Sequence, residues 1–199
     1  TYTYDKYGNI LTSALKPYSS SISLTTRHQY SLNGVYETSI TDPMGLTTSY
    51  TYNALGLLAS TEDVRGNITT YKYDGLGRLK KTDYPDGTYA SISRAWSTIA
   101  GGVYSLTKET SGEPTVTVYY DSRELELRTS QIRFDGSPLF VDNVYDNAGR
   151  LQKVSLPFKG SVPSVWDIYK YDVYGRLEQV THASGRKEAY AYSGASVTE

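Results

Sequence analysis

Chemistry needs a few side chains placed together, and this sequence offers little to assemble. Its two histidines, His28 and His182, stand far apart, the first in a strand-like stretch and the second at a turn. No G-x-S-x-G string marks a hydrolase nucleophile, and no Ser, His and Asp fall into an arrangement beyond coincidence. The chain has no cysteine, which excludes a disulfide scaffold, a Cys-ligated zinc and a thiol nucleophile. Gly75-Leu76-Gly77 belongs to a turn and not to a phosphate loop. Asp74, Asp146 and Asp172 invite a calcium reading, but an EF-hand loop needs alternating carboxylates and a distal Glu, and each of these positions supplies one. Asn67-Ile68-Thr69 is a glycosylation sequon of a kind that chance supplies easily. Lys80-Lys81 is the only basic pair flanked by aromatics, too small for a nucleic-acid track. The expectation is no catalytic, cofactor-binding or metal site, and no enzyme.

One side-chain array remains: 21 tyrosines in 199 residues, against 3 Phe and 2 Trp. Exposed tyrosine rings can stack on sugars; half-buried ones pair across the strands of a sheet. Leu, Ile, Val and Phe make up only about a fifth of the chain. With so few aliphatics, most of the rings are expected to be buried for the chain to fold. A formal net charge of −1 gives no global attraction for nucleic acid or anionic lipid. No run approaches the ~20 apolar residues of a membrane helix.

The elements that position the tyrosines repeat. Tyr-Asp-x-x-Gly-Arg-Leu occurs three times without a mismatch. The copies are Tyr73-Asp74-Gly75-Leu76-Gly77-Arg78-Leu79, Tyr145-Asp146-Asn147-Ala148-Gly149-Arg150-Leu151 and Tyr171-Asp172-Val173-Tyr174-Gly175-Arg176-Leu177. Weaker copies start at Tyr4 and Tyr52, and a decayed one at Tyr120 puts Glu124 in the glycine position. Second turns lie between, at Asp42-Pro43-Met44-Gly45, Asp63-Val64-Arg65-Gly66, Tyr84-Pro85-Asp86-Gly87 and His182-Ala183-Ser184-Gly185. The glycines at 45, 56, 66, 77 and 87 alternate between spacings of 11 and 10, so one repeat is 21 residues with two turns.

Asp at the first turn position accepts hydrogen bonds from the turn backbone, and Gly at the fourth supplies a positive φ, as in a type I turn closed by a bulge. The Glu124 copy is therefore expected to adopt a different turn. Between turns lie strand-length stretches in which Tyr alternates with polar or small residues, as in Tyr50-Thr51-Tyr52 and Tyr169-Lys170-Tyr171. This places each Tyr pair on one face. Leu151 and Val154, like Leu177 and Val180, are three apart; either a bulge after the turn or partial burial of both faces accommodates them. The stretch 88–135 departs most from the pattern, yet Tyr89 to Trp96, Val103 to Glu109, Thr115 to Tyr120 and Leu125 to Phe134 still read as strands. It is taken as diverged repeats within one 1–199 repeat segment. Residues 157–164 read as an inserted loop.

These motifs resemble the YD repeats of the rearrangement hotspot (Rhs) family, which includes bacterial polymorphic toxins, the shell-forming subunits of insecticidal toxin complexes and the animal teneurins. The resemblance implies hairpins joined edge to edge into one long, strongly curved sheet, which in large members spirals into a shell enclosing a toxin domain. The aspartyl self-cleavage core of toxin-type members is not found. Asp42-Pro43-Met44-Gly45-Leu46 echoes its Asp-Pro-x-Gly-Leu string without the Arg-rich surroundings.

The expected fold is all-β and antiparallel, about 15 to 18 strands with no substantial helix. The expected function is a structural segment of a larger bacterial Rhs-type protein, secreted or at the cell surface, that helps to enclose or present another domain. Its expected partners are the remaining repeats and that domain of the same polypeptide, with self-association through sheet edges and no nucleic acid or membrane span. The alternative is a carbohydrate-binding adhesion module in which glycans contact an exposed Tyr array.

Overall fold

The computed structural model describes residues 1–16, 23–193 and 196–198; Tyr18 lies outside them. They form nineteen β-strands and no helix, one strand more than the upper expectation, because the segment Lys187 to Tyr192 breaks at Tyr190 into two short strands. The chain divides into two units, Thr1–Ser91 and Ile92–Glu199. In the first lie β1 (Tyr2–Tyr4), β2 (Ile10–Leu15), β3 (Leu24–Tyr30), β4 (Glu37–Thr41), β5 (Thr47–Tyr52), β6 (Leu58–Glu62), β7 (Ile68–Tyr73) and β8 (Leu79–Asp83), with β9 (Tyr89–Trp96) starting at its end. Each pairs antiparallel with the next. In the second unit β10 (Tyr104–Thr110), β11 (Val116–Tyr120), β12 (Glu126–Ile132), β13 (Pro138–Tyr145), β14 (Leu151–Ser155), β15 (Trp166–Tyr171), β16 (Leu177–Thr181) and β17 (Lys187–Ala189) do the same. A last hairpin joins β18 (Ala191–Ser193) to β19 (Ser196–Thr198).

The register separates two faces. In the first unit Tyr50 faces Thr61, Thr61 faces Thr69, and Tyr71 faces Thr82, so one face carries the tyrosines and the aliphatics Ile40, Leu58 and Leu79. The other is a carpet of Ser, Thr and charge. Hydroxyls meet across the strands there, Thr3 with Thr12 at 2.6 Å, Thr41 with Thr47 at 2.8 Å and Thr51 with Ser60 at 2.6 Å. Such cross-strand pairs each contribute a few tenths of a kcal/mol, up to ~1.

A bulge follows each Tyr-Asp turn, which decides between the two readings of the Leu and Val spacing. Tyr171 faces Leu177 while Lys170 faces Gln179, leaving Glu178 as the extra residue; Tyr169 faces Val180. Leu177 and Val180 thereby join the tyrosine face. Gln152 is the extra residue after Leu151, and Lys80 after Leu79. The second turns carry no such shift, so each repeat has one bulged hairpin and one plain one.

Burial differs from expectation. No described tyrosine is buried; most are half-buried, and Tyr2, Tyr4, Tyr7, Tyr84 and Tyr174 are exposed. Among the described residues Val180 alone is a buried apolar residue, at 5% exposure. The cause is architectural: among the described residues, strands pack against their sequence neighbours and no second layer covers either unit's sheet. A ring in such a sheet is shielded by its lateral neighbours only. Within residues 157–164, Phe158 is tied to a strand. Phe158 exchanges two backbone hydrogen bonds with Phe140, and Arg128, paired to Asp142 at 2.5 Å, lies over both rings.

The Glu124 turn is a second correction. Glu124 has φ 64°, against 77° at Gly77, and its N–H bonds the Asp121 carbonyl at 3.2 Å just as that of Gly77 bonds Asp74 at 3.0 Å. The turn survives the loss of its glycine, so its other contacts outweigh the ~1–2 kcal/mol of left-handed strain. With the entropy that Gly adds to the unfolded chain taken off that strain, Glu124→Gly is expected to raise stability by ~0.5–1 kcal/mol. Denaturant titration measures it; an unchanged or lower midpoint contradicts the strain.

Candidate functional site

The signature residues build one local device eight times. In each turn Oδ1 of the leading Asp or Asn accepts the N–H two residues on and the N–H four residues on. Asp74 takes Leu76 at 3.0 Å and Arg78 at 2.9 Å; Asp146 takes Ala148 and Arg150, both at 2.9 Å; Asp172 takes Tyr174 and Arg176, both at 2.9 Å. Asp5, Asp42, Asn53, Asp63 and Asp121 do the same. In the three intact copies Oδ2 accepts the Arg Nε at 2.7 Å.

Both oxygens of these carboxylates are therefore occupied, and the described residues hold no group of three potential metal ligands. The bonds also set the acidity. The N–H of Arg78 holds the Asp74 carboxyl below the usual carboxylate range, and that of Arg150 does so for Asp146. At Asp172 burial pushes upward, yet the N–H and guanidinium of Arg176 and the N–H of Tyr174 bring the net effect down.

The tyrosine of each signature reaches backward. Tyr171 donates its hydroxyl to the Leu151 carbonyl at 2.8 Å, Tyr73 to that of Leu58 at 2.8 Å, and Tyr145 to that of Glu126 at 3.1 Å. Tyr52 and Tyr192 do likewise to Glu37 and Leu177. Every acceptor is the residue where the previous bulge begins, a place where the ladder is disrupted. The signature arginine reaches forward: Arg150 lies 4.8 Å from the Tyr171 ring centre and Arg176 4.3 Å from that of Tyr192. Residues beside the turns also stack on the next turn's glycine. A Cβ on Gly56 would lie 2.1 Å from the Tyr36 hydroxyl, so that glycine answers to close approach as well as to φ.

Sequence reasoning located these residues but missed the links between repeats. Their signal was the constant interval of 15 between Tyr and acceptor in three of five cases. His28 meets Glu37 at 2.5 Å, and His182 lies between Asp167 at 3.3 Å and Glu188 at 3.1 Å.

Part of the repeat and the fold have counterparts among known proteins. The RHS Repeat family model matches residues 37–68 and 52–89. No curated protein matches the chain. Among solved structures, the crystal structure of TcdB2-TccC3 superposes with a TM-score of 0.64 at 15% identity, over 85% of this chain and 12% of that chain. A TcdB2-TccC3-TEV crystal structure gives 0.52 at 16% identity, over 98% of this chain and 12% of that one. At such identities the likeness concerns the fold, and this chain spans a small part of the length of the chains it matches. The RHS Repeat match covers residues 37–89, and the likeness of the chain as a whole to the solved structures is one of fold.

Proposed function

We propose that this chain is a structural stretch of RHS-repeat wall in a larger bacterial protein, secreted or at the cell surface, that helps to enclose or present another domain of the same polypeptide and performs no catalysis itself. One observation carries the reading: the signature side chains are consumed by the fold. Asp closes its own turn, Arg pairs with that Asp and in two copies covers the next tyrosine, and Tyr bonds the preceding repeat. Among the described residues, no buried side-chain polar atom lacks a partner to offer a ligand. Residues 88–135 belong to the same wall as diverged repeats, because Asp121 keeps the turn bonds after the glycine and arginine have been lost.

Removing one link tests the reading. Tyr171→Phe leaves the Leu151 carbonyl without its donor and is expected to cost ~1 kcal/mol of stability. Tyr174→Phe, on an exposed ring, is expected to be neutral. Equal effects in chemical denaturation, or glycan binding that Tyr171→Phe abolishes without loss of stability, would favour the adhesion reading. The turn carboxylates give a second check. Their native pKa values lie below the ordinary value near ~3.9, so their stabilisation is complete above it and is lost as pH falls through the folded-state values. Thermal midpoints are expected to be level from about pH 7 to 5 and to fall from about pH 4 downward. A midpoint as high at pH ~2.5 as at pH ~6 contradicts the clamp.

A further inference from the structure

Charge in the second unit is sorted by face. Ile168 faces Lys153 on one side and Thr181 on the other, and Thr181 faces Lys187. Lys170 follows two residues after Ile168 on the same face. Across β14 to β17 this face therefore presents Lys153, Lys170 and Lys187, and no carboxylate is registered with them; Glu178, the extra residue of the bulge, has no cross-strand partner. Asp167 and Glu188, facing Val154 and Val180, belong to the opposite, tyrosine-bearing face. Asp142, on neighbouring β13, is already held by Arg128. None of the three lysines makes an ion pair among the described residues, whereas Lys72 and Lys81 in the first unit both reach Asp83. Lys170 and Lys187 are exposed, and Ile168 between them is 41% exposed.

We propose that this face of β14–β17 is a docking surface for an acidic polypeptide segment. Unpaired like charges on one face raise the local potential and attract a chain of opposite sign. The exposed Ile168 suits a peptide that carries an apolar side chain among its carboxylates. A glycan fits less well: Trp166, the ring on this face of β14–β17, is covered by the Lys153 ammonium at 4.3 Å and offers no bare surface for a sugar. The inference does not rest on the wall reading, since the lysines take no part in the repeat-to-repeat links.

The test uses the whole chain and a fluorescent peptide of alternating Glu and Leu, followed by anisotropy. Binding is expected at ~50 mM salt and is expected to weaken about tenfold by ~300 mM. The triple variant Lys153→Gln, Lys170→Gln, Lys187→Gln is expected to lose about tenfold in affinity, while Lys6→Gln, Lys108→Gln, Lys159→Gln, with the same change in net charge, keeps it within about twofold. Circular dichroism melts confirm that both variants are folded; if the first triple is not, Lys170→Gln alone is compared with Lys108→Gln. No binding by the unaltered chain, equal losses in the two variants, or binding of polygalacturonate in place of the peptide would overturn the proposal. The stability of Tyr171→Phe reports on the wall independently.

Discussion

A single carboxylate oxygen accepting two backbone N–H groups is the interaction on which this structure depends. In a turn of five residues, the Oδ1 bonds to the third and fifth amides fix the backbone without a contact to any neighbouring strand. Each hairpin then begins in a set register; the bulge follows only where a tyrosine precedes the clamp, since Asp42 and Asp63 make the same bonds without a shift. The bulge rotates the following Leu and Val onto the tyrosine face and opens a carbonyl to the next repeat's tyrosine. The asparagine at position 53 makes the same two bonds, so the geometry asks for an acceptor at Oδ1 and not for a charge.

Such a device suits a sheet that lacks a conventional core. A domain of two packed layers stabilises itself by burying apolar faces, but here one apolar residue among those described is buried and the tyrosines are shielded only from the side. Order comes instead from many modest contacts between neighbours, as in other repeat architectures where each unit touches only the next. Each link is worth ~1 kcal/mol or less; their number and regularity matter more than the strength of any one.

What was legible in the sequence was local. Turn positions, strand positions, the sharing of a face by Tyr169 and Tyr171 and the absence of helix follow from residue types within a few positions of each other. What was not legible spans repeats. The Tyr171 hydroxyl finds a carbonyl twenty residues back, and Arg150 finds a ring in the next hairpin; both depend on a bulge that spacing alone left undecided. Glu124 was misjudged because φ at the fourth position was assigned to glycine, whereas the turn's hydrogen bonds hold even a side chain there. Ring burial was misjudged because area arithmetic assumes a covering layer.

The account is tested most directly by amide hydrogen exchange, read residue by residue, at the third and fifth positions of the eight clamped turns. Several of these residues are exposed, Leu55, Leu76 and Tyr174 among them, and solvent access alone would let their amides exchange quickly. The clamp predicts protection at Leu55, Leu76, Arg123, Ala148 and Tyr174 comparable to that of the adjoining strands, with the asparagine-led turn at Leu55 no weaker than the others. Exchange at these amides as fast as in Ser161 and Val162 would show that the turns follow the strands, and would contradict the claim that the turns organise the sheet.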